Sequence, residues 1–182
     1  PLGVGWYRKH FTTTPEMAGR KVFIQFDGIH KNSDVWINGH HLGNRWYGYV
    51  SFQYDLTDHL NKEGPNVLAV RVDNSDQTSR WYTGSGIYRH VWLTVTNPLH
   101  VSHWGIYVTT SEISQKSAKV SVRTEITNER SQEGPCAVKT EIIDPEGEVV
   151  ATISSDMELE NGQNGVFRHI QVVQNPALWS VD

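Results

Sequence analysis

The chain has 182 residues, a formal net charge of -4 and seven tryptophans and seven tyrosines, which is enough apolar material for one large domain or two small ones. The negative charge and the lack of any Lys/Arg block argue against nucleic acid or an anionic membrane as a partner, so a neutral partner fits better. No apolar run approaches the roughly 18 residues of a membrane helix, and the single cysteine, Cys136, excludes a disulfide framework and a cysteine-based metal site.

The first half of the chain alternates apolar and polar residues over short segments and shows no long stretch with helical periodicity. Two segments place alternate apolar residues on one face of a strand: Val22, Ile24 and Phe26, and Leu68, Val70 and Val72. Further strands are predicted in GWYRKHF, SDVWING, YGYVSFQYD and IYRHVWLTVT. Because each apolar face needs a facing sheet, the pattern predicts an all-β sandwich over residues 1–97.

Two connections in this half contain residues that predict a specific turn. Asn38-Gly39 occupies the two-residue position that favours a type I′ hairpin turn. The segment DLTDHL predicts a single helical turn, with Thr57 as its cap and with Leu56 and Leu60 packing inward at one end of the sandwich.

A proline follows the last strand of the first half, which places a domain boundary near Asn97. Residues 120–126 then alternate as a strand, a turn at DPEG separates AVKTEII from EVVATIS, and VFRHIQVV follows. These segments predict about five strands of an immunoglobulin-like sandwich over residues 98–182. Such a sandwich has seven strands, and the sequence ends at NPALWSVD, so we expect its last strands to be missing here.

The aromatic residues fall into two groups. Trp6, Trp36 and Trp92 lie within strand patterns and are predicted to be core residues. Other tryptophans and tyrosines cluster beside glycine and polar residues, in NRWYGY and in DNSDQTSRWYTGSG. A pyranose has an apolar face and a rim of hydroxyls, so these aromatic loops suit either a sugar or an interdomain interface.

No motif for catalysis, metal or cofactor binding is found. Asn128-Glu129 ends a sandwich strand, where a solvated turn glutamate is expected. His40-His41 are adjacent in a hairpin without the spacing of zinc ligands, and Gly84-Ser85-Gly86 lacks the context of a nucleophile elbow or a phosphate loop. We therefore predict no catalytic residue, no metal and no cofactor in this chain.

Five motifs follow one another in the order found in family 2 glycoside hydrolases: GWYRKHF, VFIQFDGIHKNSDVWINGHHLG, GYVSFQYDLTDHL, NVLAVRVDN and SRWYTGSGIYRHVWL. The later NPALWS is similar to a segment of the family's second domain. The resemblance implies a jelly-roll, galactose-binding-like β-sandwich, then an immunoglobulin-like β-sandwich, then a (β/α)8 barrel that carries two glutamates. The barrel is absent from this sequence, so the resemblance implies a chain that is inactive by itself.

The resemblance also implies site residues. In similar proteins the segment before GSGIYR reaches the sugar pocket, which implies that Arg80 donates hydrogen bonds to sugar hydroxyls while Trp81 and Tyr82 shape the pocket wall. Asn44 and Arg45 form a second substrate-binding candidate. In the alternative interpretation these residues are structural: Arg80 pairs with an aspartate such as Asp73 or Asp76, and Trp81 packs against the barrel.

Three functions remain open at this point. The first is the non-catalytic N-terminal region of a retaining exo-glycosidase, a β-galactosidase by the RWYxGSGIYR-like segment, with β-glucuronidase and β-mannosidase as related alternatives. The second is a free-standing carbohydrate-binding module, and the third is a purely structural tandem sandwich. The expected partners are a β-galactoside or related glycan and the barrel of the same chain, and a homo-oligomer is compatible with the sequence. By analogy we expect a periplasmic or secreted protein, with a cytoplasmic location left open.

Overall fold

The structure is a computed structural model that describes residues 3–76 and 84–181. Within these residues the only helical elements are two short 3-10 helices, Pro15–Met17 and Thr57–His59, and no helix is long and apolar enough to cross a membrane. The chain divides into two compact units, Pro1–Asn97 and Pro98–Asp182. The predicted all-β fold class is therefore confirmed.

The first unit is a sandwich of antiparallel strands. Its described strands are β1 (Gly3–Thr12), β2 (Lys21–Phe26), β3 (Ile29–His30), β4 (Ser33–Ile37), β5 (His40–Arg45), β6 (Phe52–Asp55), β7 (Pro65–Asn74), β8 (Gly86–Ile87) and β9 (Val91–Thr96). One sheet has the order β1-β7-β4-β5, a second has the order β6-β2-β9, and β3 pairs with β8.

The core of the first unit lies between the two larger sheets. As predicted, alternate residues of β2 and β7 are buried there, together with the inward residues of β4. The buried members are Ile24, Phe26, Ile29, Val35, Ile37, Phe52, Leu56, Leu68, Val70 and Val72. Residues between them in sequence point to the opposite face, because the side chains of a strand alternate with a period of two.

The prediction that Trp6 and Trp92 are core residues is wrong. Trp6 is 56% exposed and Trp92 is 51% exposed. The reason is register: Trp6 pairs with Arg71 and Trp92 pairs with Gln25, and both partners lie between buried residues on their strands. Trp36 is partly buried, on the same outward face as Trp6.

A network of buried amides fixes the β4–β5 hairpin. Ile37 pairs with His40, so Asn38 and Gly39 form the two-residue turn, and their φ angles of 49° and 86° are those of the predicted type I′ geometry. The side-chain amide of Asn38 donates to Oδ1 of Asn66 at 2.7 Å, and Asn66 is fully buried. The turn is thereby tied to the start of β7.

The helical turn after β6 is present, with Leu56 fully buried and Leu60 packed against the core. The predicted cap by Thr57 is wrong. Thr57 is the first residue of the 3-10 helix, and its backbone N–H donates to Oδ1 of Asp55 at 2.8 Å. Its hydroxyl instead accepts a hydrogen bond from the backbone N–H of Val22 at 3.0 Å, which connects the turn to β2.

The second unit is an immunoglobulin-like sandwich. Its strands are β10 (Leu99–Ser111), β11 (Ser117–Asn128), β12 (Gly134–Ile143), β13 (Val149–Leu159) and β14 (Gly165–Gln174). One sheet has the order β10-β11-β14, and β12 pairs with β13. Its core contains Ile126, Cys136, Leu159 and Phe167.

Two buried polar residues hold this second unit together. The ring of His169 on β14 is hydrogen-bonded through Nδ1 to Oγ1 of Thr140 at 2.8 Å and through Nε2 to Oγ of Ser155 at 2.7 Å, so it connects the two sheets. Asn128, at the end of β11, donates to the carbonyl of Glu160 at 2.7 Å. Asn128 therefore has a structural role.

Candidate functional site

One end of the first unit carries a group of packed rings, which we call the aromatic cluster: His30, Tyr47, Tyr49 and Tyr88. Ring centroids are 5.1 Å apart for His30 and Tyr49, 5.7 Å for Tyr47 and Tyr49, and 6.4 Å for Tyr49 and Tyr88. The three pairs are edge-to-face, the arrangement that the quadrupoles of aromatic rings favour. Tyr49 is thus the central ring, and each other member packs against it.

Short connections and one glycine bring these rings together. His30 lies on β3, the two tyrosines Tyr47 and Tyr49 lie in the connection between β5 and β6, and Tyr88 follows β8. A Cβ atom on Gly48 would stand 2.7 Å from the His30 ring, so only glycine allows this approach. The hydroxyl of Tyr88 donates to the carbonyl of Gly48 at 2.9 Å and fixes the connection from the other side.

The aromatic cluster is open to solvent on its outer side. Trp46 and Tyr47, at its rim, are 66% and 60% exposed, and Tyr49 and Tyr88 are also exposed. Exposed aromatic faces beside polar groups are typical of surfaces that bind a flat, partly apolar ligand.

His30 is the buried member of the cluster. It is 7% exposed, and its Nδ1 has no hydrogen-bond partner among residues 3–76 and 84–181. Burial lowers the pKa of His30 below its ordinary value of 6.5, and the charge of Lys31 lowers it further. The ring is therefore neutral at pH 7.

A carboxylate lies next to the cluster in sequence, at Asp27. Its Oδ1 accepts a hydrogen bond from the side-chain amide of Gln25 and its Oδ2 accepts one from the indole of Trp92, both at 2.8 Å. The hydrogen bond from Trp92, followed by that from Gln25, lowers the pKa of Asp27. Asp27 is thus a fixed anion and orients the exposed indole of Trp92.

Two of the predicted site residues, Asn44 and Arg45, lie at the end of β5, immediately before the cluster. The amide of Asn44 donates to Oδ1 of Asn32 at 3.1 Å and to the carbonyl of Ser33 at 3.2 Å. The guanidinium of Arg45 lies 5.4 Å from the centre of the Phe52 ring. Both side chains are exposed, but each already has a contact within the protein.

The other predicted site residues, Arg80, Trp81 and Tyr82, lie outside the described residues. The aspartates proposed as structural partners of Arg80 have other contacts: Asp73 pairs with Arg71 at 2.7 Å, and Asp76 lies 3.9 Å from Lys31. Substrate binding by Arg80, Trp81, Tyr82, Asn44 and Arg45 stays a prediction.

The residue that sequence reasoning missed is His30. In the sequence His30 stands alone between two predicted strands and gives no signal by itself. Its position becomes visible only when β3 pairs with β8 and brings Tyr88 close. Chemically the cluster is suited to binding, because its exposed tyrosines offer ring faces and hydroxyls. In the part of the chain that the structure describes, no three His, Cys, Asp or Glu side chains lie close enough together to hold a metal ion.

Two family models match the chain, one for each unit. Residues 5–85 match a model described as glycosyl hydrolase 2 galactose-binding domain-like, and residues 99–182 match a model described as glycosyl hydrolases family 2. The solved structure of a family 2 glycosyl hydrolase from Bacteroides cellulosilyticus is similar over 99% of this chain, with a TM-score of 0.94 and 40% identity.

Curated relatives give the same family. The chain is 49% identical over its whole length to the β-galactosidase BoGH2A of Bacteroides ovatus and 36% identical over 97% of its length to a β-glucuronidase of Formosa agariphila. It spans 22% and 20% of the length of these two enzymes, and 25% of the solved B. cellulosilyticus chain. With two models of one family matching in succession, this chain belongs to glycosyl hydrolase family 2, as its galactose-binding-like domain and the sandwich that follows it.

Proposed function

We propose that this chain is the non-catalytic N-terminal region of a retaining exo-glycosidase that hydrolyses terminal β-galactosides. The observation that carries the proposal is the 49% identity, over the whole chain, to a β-galactosidase of which the chain spans 22%. In this proposal the remaining part of the longer protein supplies the (β/α)8 barrel and its two catalytic carboxylates. The sandwich units position the barrel and complete one side of its sugar pocket.

The chain by itself is proposed to lack hydrolytic activity. Retaining hydrolysis needs two carboxyl groups about 5–5.5 Å apart on either side of the glycosidic bond. Two described aspartates of the first unit already form ion pairs with basic side chains. Asp34 pairs with His41 and Arg71, and Asp55 pairs with Lys21. In the second unit the Asn-Glu dipeptide at residues 128–129 begins with a buried structural asparagine.

A direct test compares hydrolysis of 4-nitrophenyl β-galactoside with that of 4-nitrophenyl β-glucuronide by the longer protein and by this chain. We expect the longer protein to hydrolyse the galactoside faster and this chain to hydrolyse neither. Preference for the glucuronide would favour the related β-glucuronidase function, which the 36% identity to the F. agariphila enzyme supports. Hydrolysis of either substrate by this chain alone would contradict the proposal that the chain is non-catalytic.

The role of Arg80 is tested in the longer protein by Arg80→Ala. If Arg80 donates a charged hydrogen bond to the sugar, kcat/KM on the aryl galactoside falls about tenfold or more. Arg168→Ala, which removes an exposed arginine of the second unit, is the matched control and should leave kcat/KM unchanged. Equal kcat/KM values for both variants would indicate a structural role for Arg80.

The exposed aromatic residues also support a second function, that of a free-standing carbohydrate-binding module. Immunodetection of the native protein in its source separates the two. A species larger by a barrel of about 250 residues supports the glycosidase function, whereas a native species no larger than this chain supports the binding module.

A further inference from the structure

The first unit is open on one side, between the edge strand β1 of one sheet and the edge strand β9 of the other. We call this opening, of about 440 Å³, the intersheet gap. Its lining comes from both sheets and includes Phe11, Ile24, Leu68, Val70, Val91 and Leu93. Val91 and Leu93 pair with Phe26 and Ile24, so they share the core-facing side of their sheet. Each of the two is nevertheless 41% exposed, whereas Phe26 and Ile24 are 1% and 5% exposed. In the part of the chain that the structure describes, the interior of the sandwich is therefore uncovered along β9.

No described strand pairs with the outer side of β9. The N–H of Asp27 donates to the carbonyl of His90 directly opposite, and hydrogen-bonded pairs alternate along an antiparallel ladder. The backbone groups of every second residue from there, Val91, Leu93 and Val95, therefore point away from β2. Their N–H and carbonyl groups form a free edge beside the intersheet gap.

The sequence of β9 is typical of a central strand rather than of an edge strand. Its residues, VWLTVT, are all β-branched or aromatic except Leu93, and none is charged. Edge strands usually carry charged residues, prolines or bulges that prevent pairing with another strand. On the facing edge, β1 carries Arg8 and Lys9, and Lys9 is at an inward position because it pairs with Leu68. An uncharged segment such as VWLTVT at a free edge is instead prone to pair with any available strand. The composition of β9 therefore predicts a strand on each of its sides.

We propose that a strand from the remaining part of the longer protein pairs with the outer side of β9 and places alternate apolar side chains in the intersheet gap. The free N–H and carbonyl groups of β9 require an extended backbone as their partner. Side chains alternate along that backbone with a period of two, so every second one reaches the gap. The apolar lining of the gap favours aliphatic or aromatic side chains at those positions. One strand thus extends the sheet β6-β2-β9 and closes the core of the first unit.

This pairing rests on the proposed function in one respect, that the chain is part of a longer protein. The chain spans 22% of the β-galactosidase to which it is 49% identical. A strand of the same polypeptide is favoured over a separate protein, because the covalent connection gives it a high effective concentration at β9. The pairing attaches the first unit, and with it the aromatic cluster, to the remaining part of the protein through main-chain hydrogen bonds.

The test is amide hydrogen exchange, followed by mass spectrometry, on this chain and on the longer protein. Peptides that contain Val91, Leu93 and Val95 should exchange about tenfold or more slowly in the longer protein, because these N–H groups gain partners there. Peptides from the centre of β7 are the internal control, since β7 is paired on both sides in this chain and should be protected in both samples. Equal exchange of β9 in the two samples would overturn the proposal.

Two proline variants distinguish strand pairing from simple covering of this surface. Proline lacks the N–H, so Val95→Pro removes an outward donor of β9, and the matched control Thr94→Pro removes an inward donor that faces Phe23 on β2. In this chain, Thr94→Pro should speed exchange in β2, and Val95→Pro should not. In the longer protein, Val95→Pro should restore fast exchange at Val91 and Leu93. Slow exchange that persists in Val95→Pro would show covering without pairing and would overturn the proposal.

A second variant, Leu93→Lys, places a charge in the intersheet gap and keeps the test decisive if Val95→Pro fails to fold, as judged by the protection of β7. It should restore fast exchange at Val91 in the longer protein, and continued slow exchange there would contradict the proposal. Slowing of β9 exchange that depends on the concentration of this chain alone would assign the edge to a second copy and overturn it as well.

Hydrolysis is measured separately, so the two proposals can fail separately. A longer protein that hydrolyses the β-galactoside while β9 exchanges as in this chain would refute the pairing and leave the proposed function intact. Slow exchange of β9 in a longer protein that does not hydrolyse the galactoside would support the pairing and refute the proposed function.

Discussion

The ring of Tyr88 lies directly against the backbone of Gly28, and a Cβ atom on residue 28 would stand 2.6 Å from Cζ of that ring. The backbone N–H of Tyr88 also donates to the carbonyl of Gly28 at 3.4 Å. These contacts hold Tyr88 in the aromatic cluster. The absence of a side chain at residue 28 is therefore a condition for the candidate site.

We predict that Gly28→Ala displaces the Tyr88 ring and breaks its hydrogen bond to the carbonyl of Gly48. Forcing an extra methyl group into a filled space costs about 1–3 kcal/mol, which urea unfolding followed by fluorescence would measure. Gly5→Ala is the control, because a Cβ atom there meets nothing within 4 Å. Equal unfolding free energies for the two variants would contradict the packing described.

The second prediction concerns the amide network behind the β4–β5 turn. In Asn66→Ala, the donors that now reach Oδ1 of Asn66, the amide of Asn38 and the backbone N–H of Asn61, lose their partner. A buried polar group left unpaired costs about 1–3 kcal/mol, so the free energy of unfolding should fall by at least that much. Asn44→Ala, at an exposed position, should lower the free energy of unfolding far less, because water can replace the hydrogen bonds of the Asn44 side chain. Similar decreases in both variants would contradict the importance of the buried amide network.

The third prediction is a pH dependence that comes from His30. Its folded pKa is lowered by burial, so below about pH 6.5 the unfolded chain takes up a proton that the folded chain resists. The free energy of unfolding should therefore fall as pH drops from 6.5 toward 5. Well above pH 6.5, His30 is neutral in both states and should not change the free energy of unfolding. Thermal unfolding across this range should show a shallower slope for His30→Gln than for the unchanged chain. An unchanged slope in His30→Gln would exclude this source.

The fourth prediction uses Cys136 as a reporter of the second unit. The thiol is 4% exposed, and burial raises its pKa. Since the thiolate is the reactive form, labelling by a thiol reagent should be slow in the folded chain and should follow unfolding of this unit in urea. Labelling as fast as that of free cysteine in native buffer would show that this core is not closed.

The inward faces of β2 and β7 were predictable from the sequence because a strand buried on one face must alternate. The Asn38-Gly39 turn was predictable because few residue pairs adopt two positive φ angles without strain. The orientation of Trp6 was not predictable. β1 lies at the edge of its sheet, and the sequence of an edge strand does not show which of its faces meets the core.

The candidate site was predictable only in part, for a related reason. Local composition marks the loops rich in tyrosine and tryptophan, because exposed aromatic residues next to glycine are unusual. It does not show that His30 packs against Tyr49, since that contact joins β3 to the connection between β5 and β6. Sites built from several loops depend on long-range pairing, which single-segment patterns do not contain.

The turn between β4 and β5 also bears on the chemical ageing of the protein. In an asparagine followed by glycine, the next backbone nitrogen can attack the side-chain carbonyl carbon, release ammonia and leave a cyclic imide. At residue 38 both ends of that side chain are held, since its amide donates to the carbonyl of His59 and to Asn66 and its oxygen accepts from the N–H of Val67. Ring closure must break these hydrogen bonds, so deamidation at Asn38 should require local unfolding of the β4–β5 turn. The deamidated fraction should then increase with the total time for which this turn has been unfolded.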